Sequence, residues 1–449
     1  MSFVFPNVPD ISAMNGYNVK LYGLKGDGTT DDRGALNTLL NTTAPTGSTI
    51  FFPPGTYLIG SNIAVSNKQF NLIGSGTSAI LKITANTQIL NISSTAAAGS
   101  KWKIQNLSFL GNDTGASQAA LYFSDNSGGF VIDTCTFTDF GYCGVALSET
   151  ETSDVLGGLI SNSVFRSNNI GVDGSVGTRA EYLKIIGCDF ILNATGIILG
   201  GGNCIVDGCN VVYNTDTGIE VVTGTNNGHG IISNCNINHN TTYGLDIHNT
   251  TLGMTVADCH IYENPLRVAT TTGVKFIGGD IDVTALTFDT NTDCEISHVY
   301  FPNAYANTPS VAGTYPTFFR CTGTVPSGFD NNNGAWVDYS ATSTIVGWTS
   351  YTTKLIKYTV IGKTVTIAYS INGTSNATST SFTVPFTNLI MARARGCYAV
   401  NNGTAFANGG VAFVNTNSGT VTIYTDWALA AAWTGSGTKQ IVGEIEIEI

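Results

Sequence analysis

The segment from about Trp102 to Phe301 repeats one short apolar pattern at a drifting period of 20 to 28 residues. Within each unit, apolar and polar residues alternate with period two, which indicates β-strands rather than helices. Equivalent small or apolar positions in successive units are Leu107, Cys135, Ser163, Cys188, Cys209, Cys235, Cys259, Gly279 and Val299. Self-similarity of this length predicts a solenoid in which each coil stacks on the previous one.

Two further features recur in the same register. An asparagine follows the first strand in five consecutive units: Asn168, Asn193, Asn214, Asn240 and Asn264. Stacked amides of this kind can bond one another and the bent backbone of a sharp corner. A second strand of the form Gly-apolar-x-apolar comes next, as in Gly218–Val221 and Gly244–Ile247. The prediction is therefore an all-β, right-handed parallel β-helix.

Composition excludes several classes of partner. The chain has 449 residues, only 11% of them charged, and a formal net charge of −12. This balance argues against binding of nucleic acid or of anionic membrane surfaces. No stretch is long and apolar enough for a membrane helix. Residues 1–12 lack a basic region followed by an apolar run, so no signal peptide is predicted.

The ten cysteines are interpreted as core residues. Five of them share one inward register, where a small apolar side chain fills the core, and this favours free thiols in a reducing cytoplasm. Disulfides between neighbouring coils stay open as the minor alternative. No Cys or His spacing resembles a zinc site. We therefore predict no metal site and no cofactor.

Four regions are predicted along the chain. Residues 1–48 form an arm and a capping helix, in which Thr30 caps the helix and Leu36, Leu39 and Leu40 lie on its apolar stripe. Residues 49–305 form the β-helix, and residues 306–345 form a connector rich in Pro, Gly, Asn and Thr. Residues 346–449 alternate strictly and predict an antiparallel β-sandwich.

The N-terminal motifs carry a resemblance to a known family. GDGTTDD, a short helix, IFFPPGTYLIG and LIGSGTSAIL look like the entrance of the pectate-lyase-like right-handed β-helix superfamily, which includes phage tailspikes. The run KYTVIGKTVTIAYSINGTSNATSTSFTVPF is similar to C-terminal domains of phage tail fibres and tailspikes, and this likeness implies that the sandwich of residues 346–449 serves trimerisation or glycan contact. The resemblance implies a receptor-binding depolymerase of the virion tail. It also implies manufacture in the host cytoplasm, a homotrimer, attachment to phage tail proteins and a bacterial surface polysaccharide as ligand.

Stacking converts scattered acidic residues into a column on the outer face of the second strand. The outward residues of successive coils are Tyr122, Ala146, Asp173, Ile198, Glu220, Asp246, Arg267 and Thr287. Neighbours in the column lie about 4.8 Å apart, so Glu220 and Asp246 are predicted to be adjacent. Glycoside hydrolysis needs two carboxyl groups, about 5–5.5 Å apart for retention and about 6.5–9.5 Å apart for inversion. Glu220 and Asp246 are therefore the predicted catalytic pair.

Other residues are predicted to bind substrate or to tune the pair. They are Asp173, Arg267, His248, His229 and Tyr243. Asp173 with Glu220 or Asp246 would suit the wider spacing of an inverting enzyme. Long connections after Ser148, Ser175 and Val222 are predicted to form the walls of a groove.

Three alternatives stay open. The first is a fallback site on the outer face of the first strand, built from Asp189, His260, Tyr262, Asp280 and Asp282. The second is a non-catalytic adhesin that uses the groove and the sandwich as lectin surfaces. The third is a polysaccharide lyase, in which Arg267 acts as the base beside a calcium ion held by Glu220 and Asp246.

Overall fold

The structure is a computed structural model that separates into two compact units. The first contains Met1–Pro316 and Thr322–Phe329, and the second contains Thr317–Cys321 and Asp330–Ile449. The described residues are 16–93, 101–113, 115–124, 129–148, 155–175, 180–222, 228–250, 252–289, 291, 293–303, 317–319, 321–323, 336–361, 364–386, 392–416, 418–429 and 432–448. The predicted arm before residue 16 and most of the predicted connector lie outside these ranges.

The first unit is a parallel β-helix with three sheets, which confirms the predicted fold class. Sheet A contains Gly16–Asn18, Thr49–Phe52, Asn71–Gly74, Lys103–Gln105, Val131–Asp133, Leu159–Ser161, Lys184–Ile186, Cys204–Asp207, Gly230–Ser233, Met254–Ala257, Lys275–Ile277 and Glu295–Ser297. Sheet B contains Asp27–Asp31, Gly55–Ile59, Ala79–Ile83, Ser108–Leu110, Thr136–Thr138, Val164–Arg166, Asp189–Ile191, Asn210–Val212, Asn236–Asn238, His260–Tyr262, Asp280–Asp282, Tyr300–Phe301 and Thr322–Gly323.

Sheet C follows sheet B in most coils and carries the candidate site. Its strands are Ile63–Ser66, Leu90–Ser93, Ala119–Ser124, Cys143–Ser148, Ile170–Gly174, Thr195–Leu199, Thr217–Val221, Tyr243–His248, Pro265–Ala269 and Ala285–Asp289. Val155–Leu156 and Ala180–Glu181 form a small separate pair. Because the strands of each sheet are parallel and in register, one residue position per coil becomes a vertical column.

The core consists of such columns. Phe109, Phe137, Phe165 and Phe190 stack face to face at ring-centroid distances of 5.0, 4.7 and 4.8 Å. All ten cysteines are buried and free, so the alternative of disulfides between coils is wrong. Burial of small thiols and stacked rings supplies the apolar area that stabilises each coil on its neighbour.

The predicted asparagine ladder is present at the corner between sheets B and C. Each amide donates to the next: Asn168 Nδ2 to Asn193 Oδ1 at 2.9 Å, Asn193 to Asn214 at 3.0 Å, Asn214 to Asn240 at 2.8 Å, and Asn240 to Asn264 at 2.9 Å. Each of these four Oδ1 atoms also accepts from the backbone N–H of the preceding asparagine in the ladder. Buried amides that are fully bonded in this way hold the corner, and the strands of sheet C start from it.

The helical segment lies between the first strands and differs from the prediction at its start. Arg33–Thr38 is α-helical, Leu39–Thr43 continues as a π-helical turn, and Val19–Tyr22 and Gly76–Ser78 are short 3-10 helices. The predicted Thr30 cap is wrong, because the cap residue is Asp32. The Asp32 carboxylate instead accepts from the N–H groups of Lys25 at 2.6 Å and Gly26 at 3.0 Å. Leu36, Leu39 and Leu40 are buried as predicted.

The second unit is antiparallel and forms one continuous curled sheet. In sheet order the strands are Val337–Asp338, Trp348–Ile361, Thr364–Ser375, Thr438–Glu448, Arg393–Asn401, Gly410–Val414, Thr420–Tyr424, Ser381–Thr383 and Ile345–Val346, with Thr404–Ala405 beside Arg393–Asn401. The sheet closes around one apolar core that includes Ile367, Val421 and Ile441. Thr317–Phe319 is a further short strand. Among the described residues, no helix has the length and apolarity that a membrane crossing requires.

Candidate functional site

The predicted column is observed on the outer face of sheet C. Residue pairing runs from Tyr122 through Ala146, Asp173, Ile198, Glu220, Asp246 and Arg267 to Thr287. Glu220 and Asp246 are therefore direct neighbours on adjacent strands, and Arg267 lies one strand further. The alternation of each strand and the parallel register account for this arrangement without any contribution from loops.

Asp246 and Arg267 form a buried, two-pronged ion pair. Arg267 Nε donates to Asp246 Oδ1 at 2.7 Å, and Arg267 Nη2 donates to Asp246 Oδ2 at 2.5 Å. The Asp246 side chain is 3% exposed, whereas that of Arg267 is 34% exposed. The Tyr243 ring lies against the guanidinium, with Arg267 Cζ 4.6 Å from the ring centroid. A guanidinium held on both a carboxylate and an aromatic face is fixed in orientation.

His248 connects the two predicted catalytic carboxylates. Its Nε2 lies 3.1 Å from Glu220 Oε1 and 3.9 Å from Asp246 Oδ2. His248 is two residues beyond Asp246 on the same strand, so both side chains point outward. The side chains of His248 and Glu220 are 22% and 27% exposed. The groups open to a ligand at this site are therefore Glu220, His248 and Arg267 rather than Asp246.

The environment shifts the pKa values of three of these groups. Burial raises the pKa of Asp246, and the two hydrogen bonds from Arg267 oppose that rise. The hydrogen bond to Glu220 raises the pKa of His248 above its usual 6.5, although burial opposes the change. Hydrogen bonding to Asp246 raises the pKa of Arg267. The site therefore holds a permanent cation and an imidazole biased toward its charged form beside two carboxyl groups.

The same residues offer ligand atoms to a cation. Glu220, Asp246 and His248 each present one oxygen or nitrogen within 4.8 Å of the others. Both Asp246 oxygens already accept hydrogen bonds from Arg267. A metal ion at this position would compete with the guanidinium for Asp246, so the donor set suits acid–base chemistry better than a metal centre.

Asp173 lies in the column, but its carboxylate is enclosed. Tyr142 donates its hydroxyl to Asp173 Oδ2 at 2.6 Å, and Ser175 donates its backbone N–H at 2.9 Å and its hydroxyl at 2.6 Å to Oδ1. Asp173 is 2% exposed. Tyr142 was not a predicted site residue, because strand periodicity does not indicate which side chain reaches diagonally to the next coil.

His229 follows the predicted wall segment after Val222 in the sequence. Its ring packs directly on Gly202, where a Cβ atom would come within 2.4 Å of His229 Cε1. The predicted wall segments 149–154, 176–179 and 223–227 lie outside the described residues. The structure therefore brings together Glu220, Asp246, His248, Arg267 and Tyr243, and it places His229 on a different connection.

The predicted fallback face lies on sheet B. Its column runs through Asp189, Asn210, Asn236, His260, Asp280 and Tyr300. His260 pairs with Asp280, with side chains 64% and 33% exposed. Tyr262 accepts a hydrogen bond from Asn238 Nδ2 at 2.8 Å, and Asp282 accepts one from Asn303 Nδ2 at 2.7 Å. The His260–Asp280 pair is exposed, and the amide of Asn238 connects Tyr262 with Asn236 and His239. This face therefore combines an exposed ion pair with amide hydrogen bonds, in contrast to the carboxylate, histidine and arginine cluster on sheet C.

A stacked parallel β-helix of this kind places the protein in the pectate-lyase-like class. The chain belongs to the family described as "Rhamnogalacturonase A/epimerase, pectate lyase-like", whose family model matches residues 16–275. The matched region includes all the residues of the sheet C cluster.

Solved structures share the fold at low sequence identity. The A-module of the Azotobacter vinelandii mannuronan C-5 epimerase AlgE6 is 17% identical, with a TM-score of 0.54 over 69% of this chain and 99% of the epimerase module. The Dettilon tailspike protein is 12% identical, with a TM-score of 0.50 over 97% of this chain and 95% of the tailspike. Phage tailspikes are thus among the structural neighbours.

One curated relative matches over a short segment. The non-secreted LysM effector LysM19 of Penicillium expansum is 43% identical over 60 residues. The matched segment covers 13% of this chain and 5% of the relative's length. The chain therefore spans only a small part of that relative.

Proposed function

We propose that this protein binds a bacterial surface polysaccharide along the outer face of sheet C and cleaves it at the cluster of Glu220, Asp246, His248 and Arg267. The observation that carries the proposal is the convergence of four acid–base side chains from three adjacent strands. Only 11% of the chain is charged, so such a concentration is unusual for this surface. Membership of a family named for a rhamnogalacturonase and an epimerase supports a carbohydrate substrate.

Hydrolysis is the first candidate reaction. Oxygens of Glu220 and Asp246 lie within 4.8 Å of each other, which is closer to the spacing of retaining than of inverting enzymes. Glu220, the more exposed of the two, would receive a proton from the His248 imidazolium and pass it to the leaving oxygen. Asp246, whose negative charge is favoured by Arg267 against the effect of burial, would act as nucleophile or base. This role requires the substrate to approach a carboxylate that is 3% exposed.

Elimination is the second candidate, and the enclosure of Asp246 favours it. Tyr243 lies against Arg267, whose 34% exposed side chain can pair with the carboxylate of a uronate residue, and His248 lies beside the Asp246 partner of that arginine. A base would remove the proton at C5, the C4–O bond would break, and a C4–C5 double bond would form. The departing oxygen would take a proton from an acid in the cluster. In this reaction Asp246 positions Arg267 and need not touch the substrate.

One experiment separates the candidates. The full chain is incubated with mannuronan, rhamnogalacturonan, dextran and a panel of purified bacterial capsular polysaccharides. Hydrolysis predicts new reducing ends without ultraviolet absorbance, whereas elimination predicts both new reducing ends and the absorbance of an unsaturated uronate. Binding of a polymer without any shortening of its chains would favour the adhesin alternative and overturn the cleavage proposal. Glu220→Gln is the control that should stop either reaction while preserving the fold.

We also propose a virion-tail location and a homotrimer attached to other tail proteins. Support comes from the fold shared with the Dettilon tailspike and from the antiparallel second unit. Light scattering of the purified chain tests the assembly, because a trimer has three times the mass of the single chain. A monodisperse monomer over a wide concentration range would contradict the trimer.

A further inference from the structure

Two corners of the β-helix use the same backbone conformation but different side chains. The residue after each strand of sheet A from Lys103–Gln105 onward has a positive φ of 48–69°. These residues are Asn106, Thr134, Asn162, Gly187, Gly208, Asn234, Asp258, Gly278 and His298. All but Thr134 and His298 are Asn, Asp or Gly, the residues that adopt this left-handed region at least cost. This corner therefore follows backbone preference.

The corner after sheet B departs from that preference. The equivalent residues are Asp139, Ser167, Leu192, Tyr213, His239 and Glu263, with φ between 53° and 61°. A bulky side chain at positive φ is strained, and strain of this kind concentrates at functional sites. The strained positions begin at Leu192 and continue in the next three coils at Tyr213, His239 and Glu263. All of these corner residues except Asp139 directly precede a member of the asparagine ladder.

Leu192, Tyr213, His239 and Glu263 form a continuous exposed surface, here called the corner stripe. Leu192 and Tyr213 are 42% and 51% exposed, and the side chains of His239 and Glu263 are 39% and 59% exposed. Successive members are about 4.8 Å apart along the solenoid axis. The stripe therefore presents an apolar and aromatic strip that ends in a carboxylate.

The aromatic part of the stripe is rigid before any ligand arrives. The rings of Tyr213 and His239 stack with centroids 4.7 Å apart and planes inclined by 31°. His239 Nδ1 lies 2.8 Å from Asn238 Oδ1, and His239 Nε2 lies 2.5 Å from Glu263 Oε2. Both ring nitrogens are thus engaged, and Asn238 is itself held by the Tyr262 hydroxyl. A preorganised aromatic surface loses little conformational entropy on binding.

We propose that the corner stripe is a second glycan-binding site, which holds a segment of the polysaccharide chain running along the solenoid axis. The C–H face of a pyranose ring packs on exposed aromatic side chains such as Tyr213. The Tyr262 hydroxyl and the Glu263 carboxylate lie beside the rings and can bond sugar hydroxyl groups. This inference rests on the proposed function for the nature of the ligand, but it assigns binding rather than cleavage to the stripe.

The chain offers a matched control for testing the stripe. Tyr182 has φ 59° and is 50% exposed, whereas Tyr213 has φ 57° and is 51% exposed. Tyr182 directly follows the short strand Ala180–Glu181 and lies outside the stripe. Tyr213→Asn and Tyr182→Asn each replace a strained tyrosine by a residue that tolerates positive φ. Both variants should therefore fold at least as well as the wild type in thermal unfolding.

The assay is affinity electrophoresis of the full chain in native gels that contain the polymer retarded by the wild type in the panel above. Tyr213→Asn should weaken polymer binding about three- to tenfold, the range expected for loss of one aromatic contact. Tyr182→Asn should match the wild type. If cleavage occurs, Tyr213→Asn should raise KM for the polymer and leave kcat unchanged.

Three outcomes would overturn the proposal. Equal retardation of Tyr213→Asn and wild type would show that the ring stack only stabilises the corner. Equal weakening in both variants would show that exposed tyrosines bind without a specific site. A change in mass by light scattering without a change in glycan affinity would identify a second copy of the chain as the occupant. Absence of cleavage by the wild type would refute the proposed reaction only, because the gel retardation would still measure glycan binding at the stripe.

Discussion

Sheets B and C present their charged residues in different ways. On sheet C, Asp246 is buried and bonded twice to Arg267, while His248 joins Asp246 to Glu220. On sheet B, His260 and Asp280 form a single exposed pair. Both sheets have the same parallel register and the same spacing between coils. The difference therefore lies in how deeply the charged side chains are buried and how many of them contact one another, rather than in the stacking of acidic and basic residues.

The degree of burial decides how strongly the charged residues of a column interact. An exposed ion pair contributes little, because water and salt screen it. A desolvated pair is costly to break, since one charge would be left in a medium of low polarity. Functional sites combine burial with specific charge partners in this way. The comparison favours sheet C as the reactive face and sheet B as a surface for hydrogen bonding.

The largest expected effect is the loss of the Asp246 carboxylate. Asp246→Asn should lower the free energy of unfolding by about 3 kcal/mol, at the low end for a buried pair because Arg267 is partly exposed. Turnover of the polymer should fall by about 10²–10⁴-fold. The matched change on sheet B, Asp280→Asn, should alter stability by less than about 1 kcal/mol. Urea unfolding followed by circular dichroism measures both variants, and equal losses would contradict the comparison.

Glu220→Gln should separate activity from stability. Glu220 is 27% exposed, and glutamine can still accept the hydrogen bond from His248, so stability should change by no more than about 0.5 kcal/mol. Turnover should fall by about 10²–10⁴-fold, because a group that transfers protons is lost. Initial rates with the cleaved polymer measure the effect. Undiminished turnover in a correctly folded Glu220→Gln variant would remove this residue from the reaction.

The titration of His248 should reveal its contact with Glu220. The pKa of His248 is raised above 6.5 by this contact, so the contact stabilises the fold fully below pH 6.5. That contribution is lost as the pH rises through the folded-state pKa. NMR titration of the five histidines, with His248→Gln for assignment, should place His248 above 6.5. The same signal should move to lower pH in Glu220→Gln, and an unchanged value would mean that Glu220 is not the cause.

The smallest effect is expected for His260→Gln on sheet B. The His260 side chain is 64% exposed, so its ion pair with Asp280 is screened. Stability should stay within about 0.5 kcal/mol of the wild type, and turnover should not change. A loss of turnover comparable to that of Glu220→Gln would move the reactive site to sheet B.

Much of the fold could be predicted from the sequence because its repeat is local and periodic. Period-two alternation assigns each residue to a face, and the recurrence of small residues and asparagines sets the register between coils. The sequence therefore predicts Glu220, Asp246 and Arg267 as neighbours, and their strands pair in that register. The Thr30 cap failed because Asp27 and Asp32 hold the turns around it through their own carboxylates.

The sequence by itself determined the solenoid, its corners and the order of residues in each column, since these follow from strand geometry and from contacts between equivalent positions. Only the tertiary structure decided that Arg267 donates hydrogen bonds to a buried Asp246 and that His248 contacts Glu220. It also decided that Asp173 is enclosed by hydrogen bonds from Tyr142 and Ser175. The physical reason is that depth and side-chain direction depend on packing across several coils. Strand periodicity gives the face of a residue, but it carries no information on what covers that face.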